Sequence, residues 1–124
     1  MTIREAINRV DGLKHNVYSE NEKIAWLSKV DSMVKSLIID THEYGGYVYF
    51  DGYDHDTDLN TELLVPAPFD GMYLRWLEAQ IDYHNGENAG YNSAIILFNS
   101  EFNSYAQHYN RNNMPLNKGN RFVF

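Results

Sequence analysis

The sequence predicts a mainly α-helical fold: a small bundle of about four helices, with a short β or loop insertion between the second and third and an extended C-terminal tail. Three observations predict it. Two capping boxes stand just ahead of apolar stripes at helical spacing. A later segment repeats aromatic and aliphatic residues in an a/d pattern. Between them, residues 44–62 are acidic and rich in tyrosine. The helical domain covers 1–112 and the tail 113–124.

The first helix opens at the box formed by Thr2 and Glu5 and carries Ile3, Ala6, Ile7 and Val10 on one face. Asp11-Gly12 is expected to close it. A second box, Ser19 with Glu22, starts a longer helix whose stripe reads Ile24, Leu27, Val30, Val34, Leu37 and Ile38. It can run to about Thr41, before Gly45-Gly46. The run Tyr47-Val48-Tyr49-Phe50 is β-branched and aromatic and predicts a short strand, apolar on both faces. Such a strand has to be covered on both sides, by a partner chain or by the domain's own helices. Tyr44, Tyr47, Tyr49 and Tyr53 fall within ten residues, and tyrosine is enriched at protein interfaces.

Pro68 suits the first turn of a third helix, where a missing N–H costs nothing. That helix carries Phe69, Met72, Tyr73, Trp76, Leu77, Gln80, Ile81 and Tyr83, and His84-Asn85-Gly86 should stop it. In the fourth helix, Tyr91, Ile95, Phe98, Phe102, Tyr105 and Tyr109 repeat at 4,3,4,3,4. A helix from about 88 to 111 spans roughly 36 Å and crosses the whole domain. Met114-Pro115 breaks it, and the chain ends Arg121-Phe122-Val123-Phe124. Three apolar residues at a chain end imply docking, on this domain or on another.

A length of 124 residues suits one domain with a core of its own. With no cysteine, disulfides, thiolate metal sites and cysteine nucleophiles are excluded together. The longest apolar run, Ala94–Phe98, is far short of the ~18 residues of a membrane span, and the charged first residues predict no signal peptide. Net charge is −7, from ten Lys and Arg against seventeen Asp and Glu. Its distribution is uneven: residues 36–70 hold eight acids and no Lys or Arg, whereas the last fourteen residues hold Arg111, Lys118 and Arg121 and no acid. Such segments can pair between copies, or be a solvated loop and a frayed tail. The acidic balance also disfavours tight DNA binding.

Catalytic chemistry is hard to assemble from these residues. Asp54-His55-Asp56-Thr57-Asp58 starts like a calcium loop, but Leu59 and Val65 stand where that loop requires Gly and Glu. The five histidines show no metal spacing, Ser93 lies in no nucleophile elbow, and no Gly-rich loop precedes a Lys. The aromatic stripe of the fourth helix lacks the basic groove that a base-stacking platform needs. No catalytic residue, metal site or cofactor is expected.

Thr61-Glu-Leu-Leu-Val-Pro-Ala-Pro-Phe-Asp70, Gln80-Ile-Asp-Tyr-His-Asn-Gly86, Leu97-Phe-Asn-Ser100 and Tyr109-Asn-Arg111, in this order of elements, resemble a known family. The chain is similar, through about Leu116, to the head–tail connector, or adaptor, proteins of siphophages and prophages of Gram-positive bacteria. The resemblance implies a non-catalytic virion subunit that forms a ring under the portal, through which DNA passes. It further implies self-association that can wait for the portal as template, contacts to the portal and to a tail-side neck protein, and a place at the virion neck after assembly in the host cytoplasm. A C-terminal docking segment would comprise Pro115, Leu116, Arg121, Phe122 and Phe124. Tyr44, Tyr47, Tyr49 and Tyr53 become subunit or tail-side contacts. Asp51, Asp54, Asp56, Asp58 and Glu62 become a channel lining or an acidic outer surface. The alternative is another phage assembly factor, a tail-completion protein or chaperone, and after that a small hydrolase or metal-binding enzyme.

Overall fold

The computed structural model describes residues 1–116. Both capping boxes form as the sequence predicts. In α1 (Ile3–Leu13) the Glu5 N–H donates to Thr2 Oγ1 at 3.1 Å, and the Thr2 N–H returns to Glu5 Oε1 at 2.8 Å. In α2 (Glu20–Leu37) Ser19 and Glu22 do the same at 3.1 Å each way. Each box satisfies two backbone donors that a helix start otherwise leaves open. The predicted stripes are the buried faces, Ile3, Ala6, Ile7 and Val10 in α1 and Ile24, Leu27, Val30, Val34 and Ile38 along α2, except that Leu37, at the last position of α2, faces outward. The first helix runs past Gly12 to Leu13, and the second passes through Ile38 into a 3₁₀ turn at Ile39–Thr41.

A 3₁₀ turn at Phe69–Gly71, with Pro68 just before it, leads into α3 (Met72–Asn85). Gly86, at φ 75° in the left-handed region, ends α3, as the His84-Asn85-Gly86 signal predicts. The longest element, α4 (Asn88–Asn112), packs antiparallel on α3. Its a/d residues Phe98 and Tyr105 are buried and the other four half-buried. Trp76 and Phe98 join the two helices with ring centroids 5.0 Å apart. Tyr73, Leu77 and Ile81 from α3 meet Leu27, Val30 and Val34 from α2 in the central core, together with Val65 and Met72. Exposed positions of α4 between 92 and 107 hold only Asn, Ser, Gln, Ile and Leu.

The predicted strand at 47–50 does not form. No strand occurs among the described residues, which show two isolated bridges, Thr2 with Glu62 and His42 with Pro115. Residues 45–47 make a 3₁₀ turn instead, in which the Tyr47 N–H reaches Tyr44 O and the Val48 N–H reaches Gly45 O. The cause is a close approach just upstream. A Cβ on Gly45 would lie 2.2 Å from Ile39 O, so this chain turns tightly on the previous 3₁₀ turn. Its backbone donors are met locally and no neighbouring strand is offered. The two-sided apolar character is resolved by inclination: Val48 and Phe50 are half-buried while Tyr47 and Tyr49 face outward.

The rest of the insertion is bound to the bundle. Leu59 O and Thr61 O accept from the Arg4 and Ile3 N–H groups at 2.9 and 3.1 Å, capping the open end of α1. The chain beyond α4 is extended at Asn113. It lies along 41–43, where the Glu43 N–H donates to Met114 O at 2.7 Å and the Leu116 N–H to Thr41 O at 2.9 Å. The expected tail therefore starts as a strap on the bundle, and residues 117–124 lie outside the described residues. No helix among those described is long and apolar enough to cross a membrane.

Candidate functional site

At one end of the bundle the insertion presents its tyrosines. Tyr44, Tyr47 and Tyr49 are 75%, 85% and 82% exposed. Tyr44 and Tyr47 lie side by side, ring centroids 6.0 Å apart. Tyr44 takes a left-handed backbone at φ 65°, uncommon for a bulky residue, and this turns the chain out of the 3₁₀ turn at 39–41. His42, two residues earlier, is buried, and its ring meets three residues on two elements. Nδ1 sits 2.6 Å from Ile38 O, Nε2 sits 2.6 Å from Asn110 Oδ1 on α4, and Tyr109 packs edge-on at 4.8 Å. The C-terminal strap lies against this same point, so Pro115 and Leu116 come next to the tyrosine ledge.

Tyr53 is placed differently from the other three. Its ring packs edge-on against Phe50 at 5.1 Å and its hydroxyl donates to Asp31 Oδ2 at 2.5 Å. Asp31 is fully buried and, among the described residues, has no cation paired with it. It also accepts from the Tyr73 hydroxyl at 2.5 Å and from the Leu64 N–H at 3.0 Å, and Tyr73 in turn accepts from the Val65 N–H at 2.8 Å. Burial raises the Asp31 carboxyl above its ordinary range, against the lowering pull of the three donors. Burial and the adjacent carboxylate push both tyrosine hydroxyls well up, so they stay protonated donors. This network clamps the insertion, at 53 and at 64–65, onto α2 and α3. Two further ion pairs each bury one partner: Asp82 with half-exposed Lys14 at 2.9 Å, and Lys23 with exposed Asp11 at 2.8 Å.

The acids Asp51, Asp54, Asp56, Asp58 and Glu62 are all exposed and spread along the insertion's outer side. Several shape their own loop. Asp54 Oδ1 accepts from the Asp56 N–H at 2.9 Å, Asp58 Oδ1 from the Asn60 N–H at 2.9 Å, and Glu62 from the Met1 ammonium at 3.2 Å. Ligand atoms of Asp54, His55 and Asp56 lie within 4.8 Å of one another, but all three residues are exposed neighbours in one turn. The positions a calcium loop would use to close are half-buried Leu59 and buried Val65, which face the bundle. Four hollows of the described surface are small, about 220–320 Å³. One is lined by Ser93 with Lys14 and Asp82, whose side chains bond each other at 2.9 Å.

Of the residues singled out in the sequence, the fold sets the paired Tyr44 and Tyr47 just past residues 41–43, where Pro115 and Leu116 are tied, and puts Tyr49 at the hollow lined by Phe50, Tyr53 and Leu64. It turns Tyr53 inward, leaves the five acids on an outer rim, and Arg121, Phe122 and Phe124 lie outside the described residues. Asp31 and His42 were not legible as keystones, although Asp31 carries a signal: it sits seven residues after Ile24 and four after Leu27, on the apolar face itself. No protein family, curated protein or solved structure matches this chain.

Proposed function

We propose that this chain is a structural virion subunit, a head–tail connector or adaptor that assembles as a ring beneath a portal and carries out no catalysis. One observation supports the reading above the others: the outward Tyr44 and Tyr47 follow directly on residues 41–43, to which the start of the C-terminal segment is tied. Gripping elements are therefore concentrated at a pole, while the long α4 and its partner α3 supply a stiff body. Its partners are the portal, a tail-side neck protein and further copies of itself, with the ring forming on the portal as template. The acidic rim suits a surface past which DNA slides without adhering, since like charge opposes phosphate contact. Its place is the virion neck, reached from the host cytoplasm.

The test is reconstitution. Mixing the purified chain with a portal protein from the same genome should give a co-eluting complex, lost on deleting residues 117–124 and weakened by replacing Tyr44, Tyr47 and Tyr49 with Ser. Co-elution indifferent to both changes would refute the reading.

A further inference from the structure

The hollow of about 220 Å³ in the insertion has three aromatic rings in its lining, those of Tyr49, Phe50 and Tyr53, with the carboxylates of Asp51 and Glu62 beside them. Phe50 and Tyr53 meet at 83° with ring centroids 5.1 Å apart, so they line it in two orientations. The lining is preformed. Gly52 reverses the chain at φ 86°, the Tyr53 N–H donates to Ser28 Oγ at 3.0 Å, and the Tyr53 hydroxyl is fixed on Asp31. Leu64 and Thr61 are tied too: the Leu64 N–H donates to Asp31 Oδ2 at 3.0 Å, and Thr61 O accepts from the Ile3 N–H at 3.1 Å. A hollow of this volume takes a planar group of benzene's size, because a cavity of about 150 Å³ already accepts benzene.

Aromatic rings receive apolar groups and cations alike, so the surrounding charges decide between them. Asp51 is exposed and, among the described residues, pairs with no cation. Glu62 shares the Met1 ammonium, at 3.2 Å, with Asp70 at 3.4 Å, so two carboxylates divide one cation. Lys35 lines the adjoining hollow together with Phe50, Asp51 and Gly52, but its ammonium is held by Asp40 and by Gly45 O at 3.2 Å. His55 lies on Asp56 at 3.4 Å, and residues 36–70 contain no Lys or Arg. With these pairs set against each other, the hollow keeps an excess of negative charge.

We propose that this hollow receives an arginine side chain of a partner protein, its guanidinium stacked on the aromatic lining and its edge facing Asp51. Arginine fits better than lysine. Its plane matches an aromatic face, and it is less strongly hydrated than an ammonium, so it loses less on leaving water. Ring and carboxylate then act on the same group, one through its face and the other through its N–H donors. The site is complete in the isolated chain and does not depend on the connector reading.

The test is a titration of the full ¹⁵N-labelled chain with Nα-acetyl-arginine amide, whose side chain carries its only charge. Amide signals of residues 49–53, 57 and 61–64 should shift and saturate, with a dissociation constant of about 10 mM, as befits a single side chain. Nα-acetyl-citrulline amide, the neutral isostere, should leave them in place, and the lysine counterpart should bind more weakly. Phe50→Leu should weaken arginine binding about two- to five-fold, the worth of one exposed cation–π contact. Asp51→Asn should do so by a similar factor of about two to five, and because Asp51 is exposed this variant serves even where Phe50→Leu disturbs the fold. Absence of saturable shifts would overturn the proposal, as would equal binding of citrulline or lysine, or indifference to Asp51→Asn. The same signals moving when the chain alone is concentrated would assign the hollow to a second copy and overturn it as well. Portal co-elution is a separate measurement, so either reading can fail without the other.

Discussion

Replacing Asp31 with Ala removes the acceptor shared by Tyr53, Tyr73 and the Leu64 N–H. Tyr53 is half-buried and can turn to water, but the Tyr73 hydroxyl and the Leu64 N–H are left without a partner, at about 1–3 kcal/mol each. Relief of the buried carboxylate offsets part of this, leaving a net loss of about 2–4 kcal/mol. Unfolding entropy for a chain of this length is about 0.26 kcal/mol per kelvin, so the melting temperature should fall by about 8–15 °C. Calorimetry measures it directly, and a drop of under about 2 °C would refute the view that Asp31 clamps the insertion. Asp31→Asn keeps the shape and tests the charge. Because the folded carboxyl is held above its ordinary value of 3.8, the unfolded chain gives up its proton first. Asp31 therefore favours the folded state at low pH, and that contribution is lost as pH rises from about 3.8 through the raised folded value. The wild-type chain should lose stability relative to Asp31→Asn across that interval; parallel curves would contradict the assignment.

Two further substitutions probe the ends of the bundle. Gly45→Ala puts a Cβ 2.2 Å from Ile39 O, against backbone rather than a yielding side chain, and should cost about 1–3 kcal/mol in chemical denaturation. Lys14→Met leaves the Asp82 carboxylate buried without its cation; since Lys14 is itself partly exposed, the loss should be about 2–3 kcal/mol, with part regained in the double variant with Asp82→Asn.

The helices were legible because their signals are local. A capping box or an a/d stripe is satisfied within one element, so Thr2, Ser19 and the Tyr91-to-Tyr109 repeat carried over directly. The insertion was not, because its geometry is set at long range. Tyr47 to Phe50 has strand-like composition, yet a strand also needs a neighbour, and the contact of Gly45 with Ile39 denies it one. Tyr53 reads like the other three tyrosines in sequence; only the position of Asp31 on the opposite helix distinguishes it. The tail was half legible: Met114-Pro115 marked the break, but nothing local could show that 114–116 would lie along 41–43.

The 25 residues of α4 make a rod of about 37 Å with no proline or internal glycine beyond its first turn. One tip is the tight bend at Gly86 and the other carries His42's partner Asn110 and the strap. A rod has one length, so it works as a gauge. A contact made at the strap is set at a fixed distance, and a fixed rotation, from anything touching the bend. Inserting four residues in mid-rod would nearly preserve the rotation and move the tips about 6 Å apart, whereas inserting two would turn them to opposite sides.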